Sequence, residues 1–347
     1  LTDISLAGLG WSNFYLAQLD GEDAEAAPCR IVSVARDRVT ALSPAGETVL
    51  MTGGHLSAGE IACGDWVLSD GARVLRVLER RTLLQRRAAG PRAERQLIAA
   101  NVDTLGIVTS CNADFNAARL ERYLALAASG GCLPLVVLTK ADLAEDAAGF
   151  ARAAERLSPL VATVVLDARD PEAVAEALAP WCRGGQTLAL VGSSGVGKTT
   201  LTNALTGGAE AVQGIREDDA KGRHTTTARA LRPVAGGGWL IDTPGMRELG
   251  LTGASDGIAA VFADLEELAS DCRFSDCAHE GEPGCAVQAA IDAGDLEPER
   301  VQRWRKLQRE DARSTETIAE KRSRSRAFGK HIARIQREKR YDKGGWD

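Results

Sequence analysis

Between residues 30 and 90, apolar and polar positions alternate in short bursts. "RIVSVARDRVTAL", "ETVLMTG" and "GDWVLSDGARVLRVLERR" are punctuated by Gly and Asp, with little helical spacing between them. This pattern predicts a small five-stranded β-barrel, with the OB-fold as one candidate and a generic small β-domain as the other.

From residue 100 the period changes. Apolar runs "TLGIVTS" (104–110), "LPLVVLTK" (133–140), "VATVVLD" (161–167) and "TLALVGS" (187–193) read as buried strands. Between them lie stretches with helical spacing, "ADFNAARLERYLALAAS" (113–129), "EDAAGFARAAERL" (145–157) and "DPEAVAEALAPWC" (170–182). Leu120, Leu124 and Leu126 are expected to face inward. Strict strand–helix alternation predicts a parallel sheet with helices on both faces. "ARALRPVAGGGWLIDTPG" (228–245) adds two strands around a glycine turn. From about residue 263 helical patterns dominate, and no internal repeat is present. The chain is therefore expected to be a multidomain α/β protein, with a β-barrel over 1–97, a sheet domain over 98–262 and a helical domain over 263–347.

A length of 347 residues with 44% hydrophobic positions suits two or three globular domains. No apolar run reaches the ~18 residues of a membrane span, so no membrane partner is expected. The opening stretch has no basic start and no apolar core, so a signal peptide is not expected and the cytoplasm is the default address. The net charge is −6, unevenly spread. Lys321 to Lys343 holds ten Lys/Arg against two acidic residues, and Arg73 to Arg95 holds eight arginines against Glu79 and Glu94. Two basic segments on an acidic chain suit either contact with a polyanion or solvated surface. Five of the eight cysteines, Cys29, Cys63, Cys111, Cys132 and Cys182, sit apart and read as small buried hydrophobes in a reducing compartment.

"GSSGVGKTT" fits G-x-x-x-x-G-K-[ST] and lies between a strand and the helical "TTLTNALTGG", the context that motif requires. Its residues Gly192, Ser193, Ser194, Gly195, Val196, Gly197, Lys198, Thr199 and Thr200 are candidate phosphate contacts at a helix N-terminus. Lys198 would bridge the β- and γ-phosphates, and the Thr199 hydroxyl would bind Mg²⁺. "LIDTPG" supplies Asp242 for Mg²⁺ through water and the Gly245 N–H for the γ-phosphate. "GRHTTT" (222–227) lies between these motifs, and one of its threonines, Thr226 or Thr227, would complete the Mg²⁺ shell.

"TKAD" ends the strand 133–140 and offers Thr139, Lys140, Ala141 and Asp142. A carboxylate there accepts from the N1–H and exocyclic amine of guanine, while the Lys stem lies along the base. "LDARD" (166–170) adds Ala168 as a backbone contact to the base edge. In ordinary GTPases the phosphate loop comes first; here the base loop precedes it, the order of a circular permutation. The chain resembles the circularly permuted, ribosome-small-subunit-dependent GTPases, the RsgA or YjeQ family. The resemblance spans "GDWV", "AANVDTLGIV", "TKADL", "GSSGVGKTTLTNAL", "GRHTTT", "LIDTPGMREL" and "CRFSDCAHEGEPGCAV". One position departs: the family's usual base loop has Asn where this chain has Thr139, leaving one hydrogen bond to tie that loop to the phosphate loop.

Cys272, Cys277, His279 and Cys285 are spaced C-x₄-C-x-H-x₅-C. Three thiolates and an imidazole would close a tetrahedral zinc site with no open position, hence a structural one. The resemblance implies the same cluster. It also implies a GTPase acting in late maturation of the small ribosomal subunit, with GTP or GDP and rRNA as further partners and a monomeric chain. A small-molecule kinase and an RNA-binding protein with a vestigial nucleotide site are the alternatives. The residue after "DTPG" is Met246, which cannot orient an attacking water, so His224 is the candidate catalytic group beside Lys198.

Overall fold

The computed structural model describes residues 5–52, 56–87, 95–159, 161–208, 229–243, 251 and 253–313. A short helix α1 (Asn13–Leu16) precedes five strands, β1 (Ala27–Val34), β2 (Arg38–Ser43), β3 (Gly46–Thr52), β4 (Trp66–Ser69) and β5 (Arg73–Val77). They close into a barrel in the order β1-β2-β3-β5-β4, with β3 and β5 the one parallel pair. That order is the OB arrangement, and closure removes exposed sheet edges. Ile31, Val39, Ala41, Leu50, Val67 and Val74 fill its interior. Two further strands, β6 (Leu83–Arg87) and β7 (Arg95–Ala100), pair as a separate antiparallel ribbon, so the barrel ends before residue 83 and position 97 falls inside a strand.

The second sheet has six strands: β8 (Thr104–Ser110), β9 (Leu133–Thr139), β10 (Ala162–Val165), β11 (Thr187–Gly192), β12 (Leu231–Pro233) and β13 (Trp239–Asp242). Their order is β10-β9-β8-β11-β13-β12, parallel except for β12. The connecting helices are α2 (Ala117–Ser129), α3 (Ala147–Glu155), α4 (Pro171–Leu178) and α5 (Lys198–Thr206). The twofold period of the strands explains why both faces are covered. Leu105, Ile107, Val136, Leu138, Ala189 and Val191 face the core that holds α2, including Leu120, Leu124 and Leu126. Val108, Leu135, Val137, Leu188 and Leu190 face the core of α4 and α5. Asn116, Asp146 and Asp170 cap α2, α3 and α4 by accepting from first-turn backbone amides.

Helices α6 (Ser255–Val261), α7 (Ala263–Ser270), α8 (Ala286–Ala293) and α9 (298–313) form the last module. Charges clamp α9 onto α2: the buried Glu121 carboxylate accepts from Arg303 at 2.7 and 3.0 Å and from Arg300 at 3.4 Å. The barrel is fixed to the sheet by a buried arginine. Arg30 on β1 donates to the Leu9 and Asn101 carbonyls and, at 2.6 Å, to the Thr187 hydroxyl on β11. The five dispersed cysteines are all buried. Among the described residues no helix is long and apolar enough to cross a membrane.

Candidate nucleotide site and metal centre

The connection from β8 leads to β9 on one side, whereas that from β11 leads toward β13 on the other. Adjacent strands with diverging connections open a crevice at their carboxyl ends, where α/β sheets bind ligands. The loops after β9, β10 and β11, and Thr243 after β13, all emerge at this edge because their strands are parallel.

The phosphate loop joins β11 to α5. Gly197 caps α5 at φ 97°, and Gly192 leaves β11 with φ 146°, so both occupy conformations that L side chains rarely adopt. At Gly192 a Cβ would lie 2.3 Å from the Val108 carbonyl oxygen. Lys198 folds over the loop, its Nζ donating to the Gly192 carbonyl at 2.9 Å and the Ser193 carbonyl at 2.5 Å. Ser194 and Gly195 form the exposed crest, Val196 is buried beneath it, and Thr199 and Thr200 are half-buried in the first turn of α5. Asp242 ends β13 in register with Leu190 of β11, two residues before the phosphate loop begins at Gly192. Thr243 fixes that end by donating its hydroxyl to the Leu190 carbonyl at 2.6 Å.

The base loop starts at Thr139, the buried last residue of β9. Its hydroxyl lies 2.6 Å from the Val196 carbonyl of the phosphate loop and 3.1 Å from the Thr109 carbonyl of β8. The shorter contact takes the single proton, so one side chain couples the two loops. Lys140 follows in a left-handed conformation, φ 56°, and turns the chain into a 3-10 turn, Ala141–Leu143, that carries Asp142. From the next strand, Ala168 is buried and Arg169 reaches back. Arg169 Nη2 lies 2.5 Å from Asp142 Oδ2 and 2.9 Å from Asp167 Oδ2, and Nε lies 3.1 Å from Asp167 Oδ1. These bonds raise the Arg169 pKa and lower that of Asp167. Neither Arg169 nor Thr243 stood out in the sequence. The signal for Arg169 was its place directly after Ala168 in "DARD". His224, Thr226, Thr227 and Gly245 lie outside the described residues, as does the basic stretch 321–343.

The four metal-ligating candidates come together. The thiol sulfurs of Cys272 and Cys285 each lie 3.5 Å from His279 Nδ1 and 3.9 Å from one another, and all four donor atoms fall within 4.8 Å. Tetrahedral zinc with ordinary bond lengths sets S···N near 3.6 Å and S···S near 3.8 Å, roughly the separations found. The loop is shaped for this. His279 is left-handed at φ 59°, and the Glu282 carboxylate accepts from the Ala278 and Glu280 amides at 2.9 and 2.7 Å. Cys285 caps α8, accepting from the Gln288 amide at 3.3 Å. Burial lowers the His279 pKa, which favours the neutral ring that ligates metal. The ring packs 5.4 Å from that of Trp304 on α9. The cluster can hold a metal ion.

Comparison with known proteins completes the picture. Residues 77–252 match the RsgA GTPase family, and a small ribosomal subunit biogenesis GTPase RsgA of Mesorhizobium japonicum is 55% identical over 90% of this chain and 91% of its own. The chain belongs to the RsgA GTPase family. It is accordingly a GTPase, and GTP bound by that family carries Mg²⁺. Among solved structures, YjeQ from Thermotoga maritima aligns with a TM-score of 0.61 at 25% identity, covering 81% of this chain and 97% of that one. YloQ, described as a circularly permuted GTPase, aligns with a TM-score of 0.57 at 22% identity over 82% and 95% of the two chains. The barrel, the permuted nucleotide domain and the cysteine-rich helical module thus form the family fold.

Proposed function

We propose that this chain is a factor in late maturation of the small ribosomal subunit, hydrolysing GTP faster when bound to that subunit. The observation that carries this is the bond from Thr139 to the Val196 carbonyl, which holds a guanine-reading loop against a phosphate loop in a permuted sheet. A kinase acting on a small molecule would need an acceptor pocket and has no use for a loop that reads guanine. The family relative from Mesorhizobium japonicum carries the biogenesis name, and this chain shares most of its length.

In this reading the backbone amides of residues 193–200 surround the β-phosphate at the α5 N-terminus. Lys198 leaves the Gly192 and Ser193 carbonyls to bridge the β- and γ-phosphates. The Thr199 hydroxyl and the Asp242 carboxylate, together with Thr226 or Thr227, would hold Mg²⁺. When bound, the ion neutralises charge developing on the phosphates. Asp142 accepts from N1–H and the 2-amino group of guanine, Lys140 lies along the base, and the Ala168 amide meets its edge. His224 positions the attacking water when the chain is bound to the subunit. The thiolates of Cys272, Cys277 and Cys285, with His279, would hold one structural zinc. The barrel and residues 321–343 grip rRNA backbone, and the chain works as a cytoplasmic monomer.

Purified chain assayed with GTP or ATP, with and without small ribosomal subunits, tests the reading. Slow GTP hydrolysis that rises on adding subunits, with ATP inert, is the expected outcome. Equal use of ATP, or no response to subunits, would overturn it.

A further inference from the structure

We propose that Arg169 competes with the 2-amino group of guanine for one oxygen of Asp142, and thereby limits how strongly the site prefers guanine over hypoxanthine. The inference rests on the reading of Asp142 as the carboxylate that recognises the base. Guanine brings two donors to that edge and occupies both carboxylate oxygens. One of them, Oδ2, already accepts from Arg169 Nη2 at 2.5 Å. Hypoxanthine lacks the 2-amino group, offers N1–H alone, and leaves the second oxygen for Arg169 to keep.

The surroundings give Arg169 somewhere to go. Asp167, two residues earlier, takes its guanidinium in a fork through Nε at 3.1 Å and Nη2 at 2.9 Å. The Arg169 backbone amide also donates to Asp167 Oδ1 at 2.9 Å, which fixes the loop that carries it. Asp142 and Arg169 follow adjacent parallel strands, with Leu138 opposite Val165, so the loops that carry them lie side by side and their side chains meet. The Arg169 side chain is 66% exposed and that of Asp142 27%, so the pair is solvent-screened and displaceable. When guanine binds, Arg169 gives up Asp142 but retains Asp167. The gain from the 2-amino group is then the difference between its own bond and the bond it replaces. An inosine nucleotide forgoes the first and keeps the second.

A two-by-two comparison isolates this term: GDP and IDP dissociation constants for the intact chain and for Arg169→Ala. A merely structural role for Arg169 would weaken both nucleotides equally and leave their ratio alone. Competition predicts that the IDP-to-GDP ratio of dissociation constants widens in Arg169→Ala, by about two- to fivefold for a screened pair of this kind. A ratio that stays constant or narrows overturns the proposal. Asp142→Asn, measured with GDP and XDP, separates this failure from failure of the underlying reading. If that variant does not move toward xanthine, the assignment of Asp142 falls and the competition with it. If it does, and the ratio in Arg169→Ala is unmoved, only the role of Arg169 falls.

Discussion

The nucleotide sheet and the cysteine loop are held in place by different physics. Each central strand of the sheet buries aliphatic side chains on both faces, so β8, β9 and β11 would keep their positions with no ligand at all. Residues 272–285 have no such interior. Phe274, the one large apolar side chain in the loop, is 43% exposed, and Cys285 is the loop's one fully buried side chain. What sets it apart is four donor atoms within 4.8 Å of each other and the Glu282 carboxylate gathering two amides, with only the three cysteines and His279 reaching the helical core. A site built on a sheet can leave its ligand positions open for exchange. A loop whose donor atoms can close around a metal ion leaves no such opening.

The sharpest way to break that contrast is to remove one thiolate. Metal binding in small structural sites is worth about 10–16 kcal/mol and is inseparable from local folding. Cys277→Ala should therefore release the metal, seen as its loss in elemental analysis, and expose 272–285 to proteolysis. GDP affinity should not change, because α9 is held on α2 by Glu121, Arg300 and Arg303 independently of the cluster. A drop in GDP affinity that tracks metal loss would show that the two regions are one cooperative unit.

Next in size is Asp142→Asn, which acts in the sheet region alone. Losing a carboxylate matched to two donors costs discrimination of order 10²-fold. The variant should lose GTP binding, gain affinity for xanthine nucleotides, and retain its full metal content. If guanine affinity is unmoved, the base is read elsewhere and the loop after β9 serves only to brace the phosphate loop.

These two regions also differed in how much their sequences disclosed. The sheet announced itself twice, through strand–helix alternation and through loops whose residue types allow little other chemistry. The metal loop announced itself only through spacing, since nothing in its apolar pattern predicts a fold. The barrel was half legible. Alternation marked its strands, but the parallel β3–β5 closure and the detachment of β6–β7 depend on pairing between distant segments. Long-range charge contacts stayed hidden for the same reason. Glu121 reads as one more polar residue on α2, and Arg30 as one more in a β-strand; partners at residues 303 and 187 give them their meaning. Arg169 lay beside a motif, yet its partner Asp142 is in a different loop and only the fold brings them together.

The smallest effect belongs to Thr139, and it sharpens the comparison from inside the sheet. Its hydroxyl is buried and spans the two nucleotide loops at 2.6 Å. Thr139→Val keeps the shape and removes the donor, leaving the Val196 carbonyl without it. An unmet buried acceptor costs about 1–3 kcal/mol. Part of this should appear as a lower melting temperature and part as weaker binding, since the phosphate loop is then less well held. Thr139→Asn restores the residue usual in the family and offers two donors, so it should bind GTP more tightly than the parent chain. In both variants the GTP-to-ATP preference should stay fixed, because in the proposed reading discrimination lies with Asp142 and the tie acts on the geometry shared by all nucleotides. Nucleotide affinities for the three chains, measured beside their melting temperatures, check this directly. A change in base preference on Thr139→Val would mean that the tie orients Asp142 itself, and that affinity and specificity in this sheet cannot be assigned to separate residues.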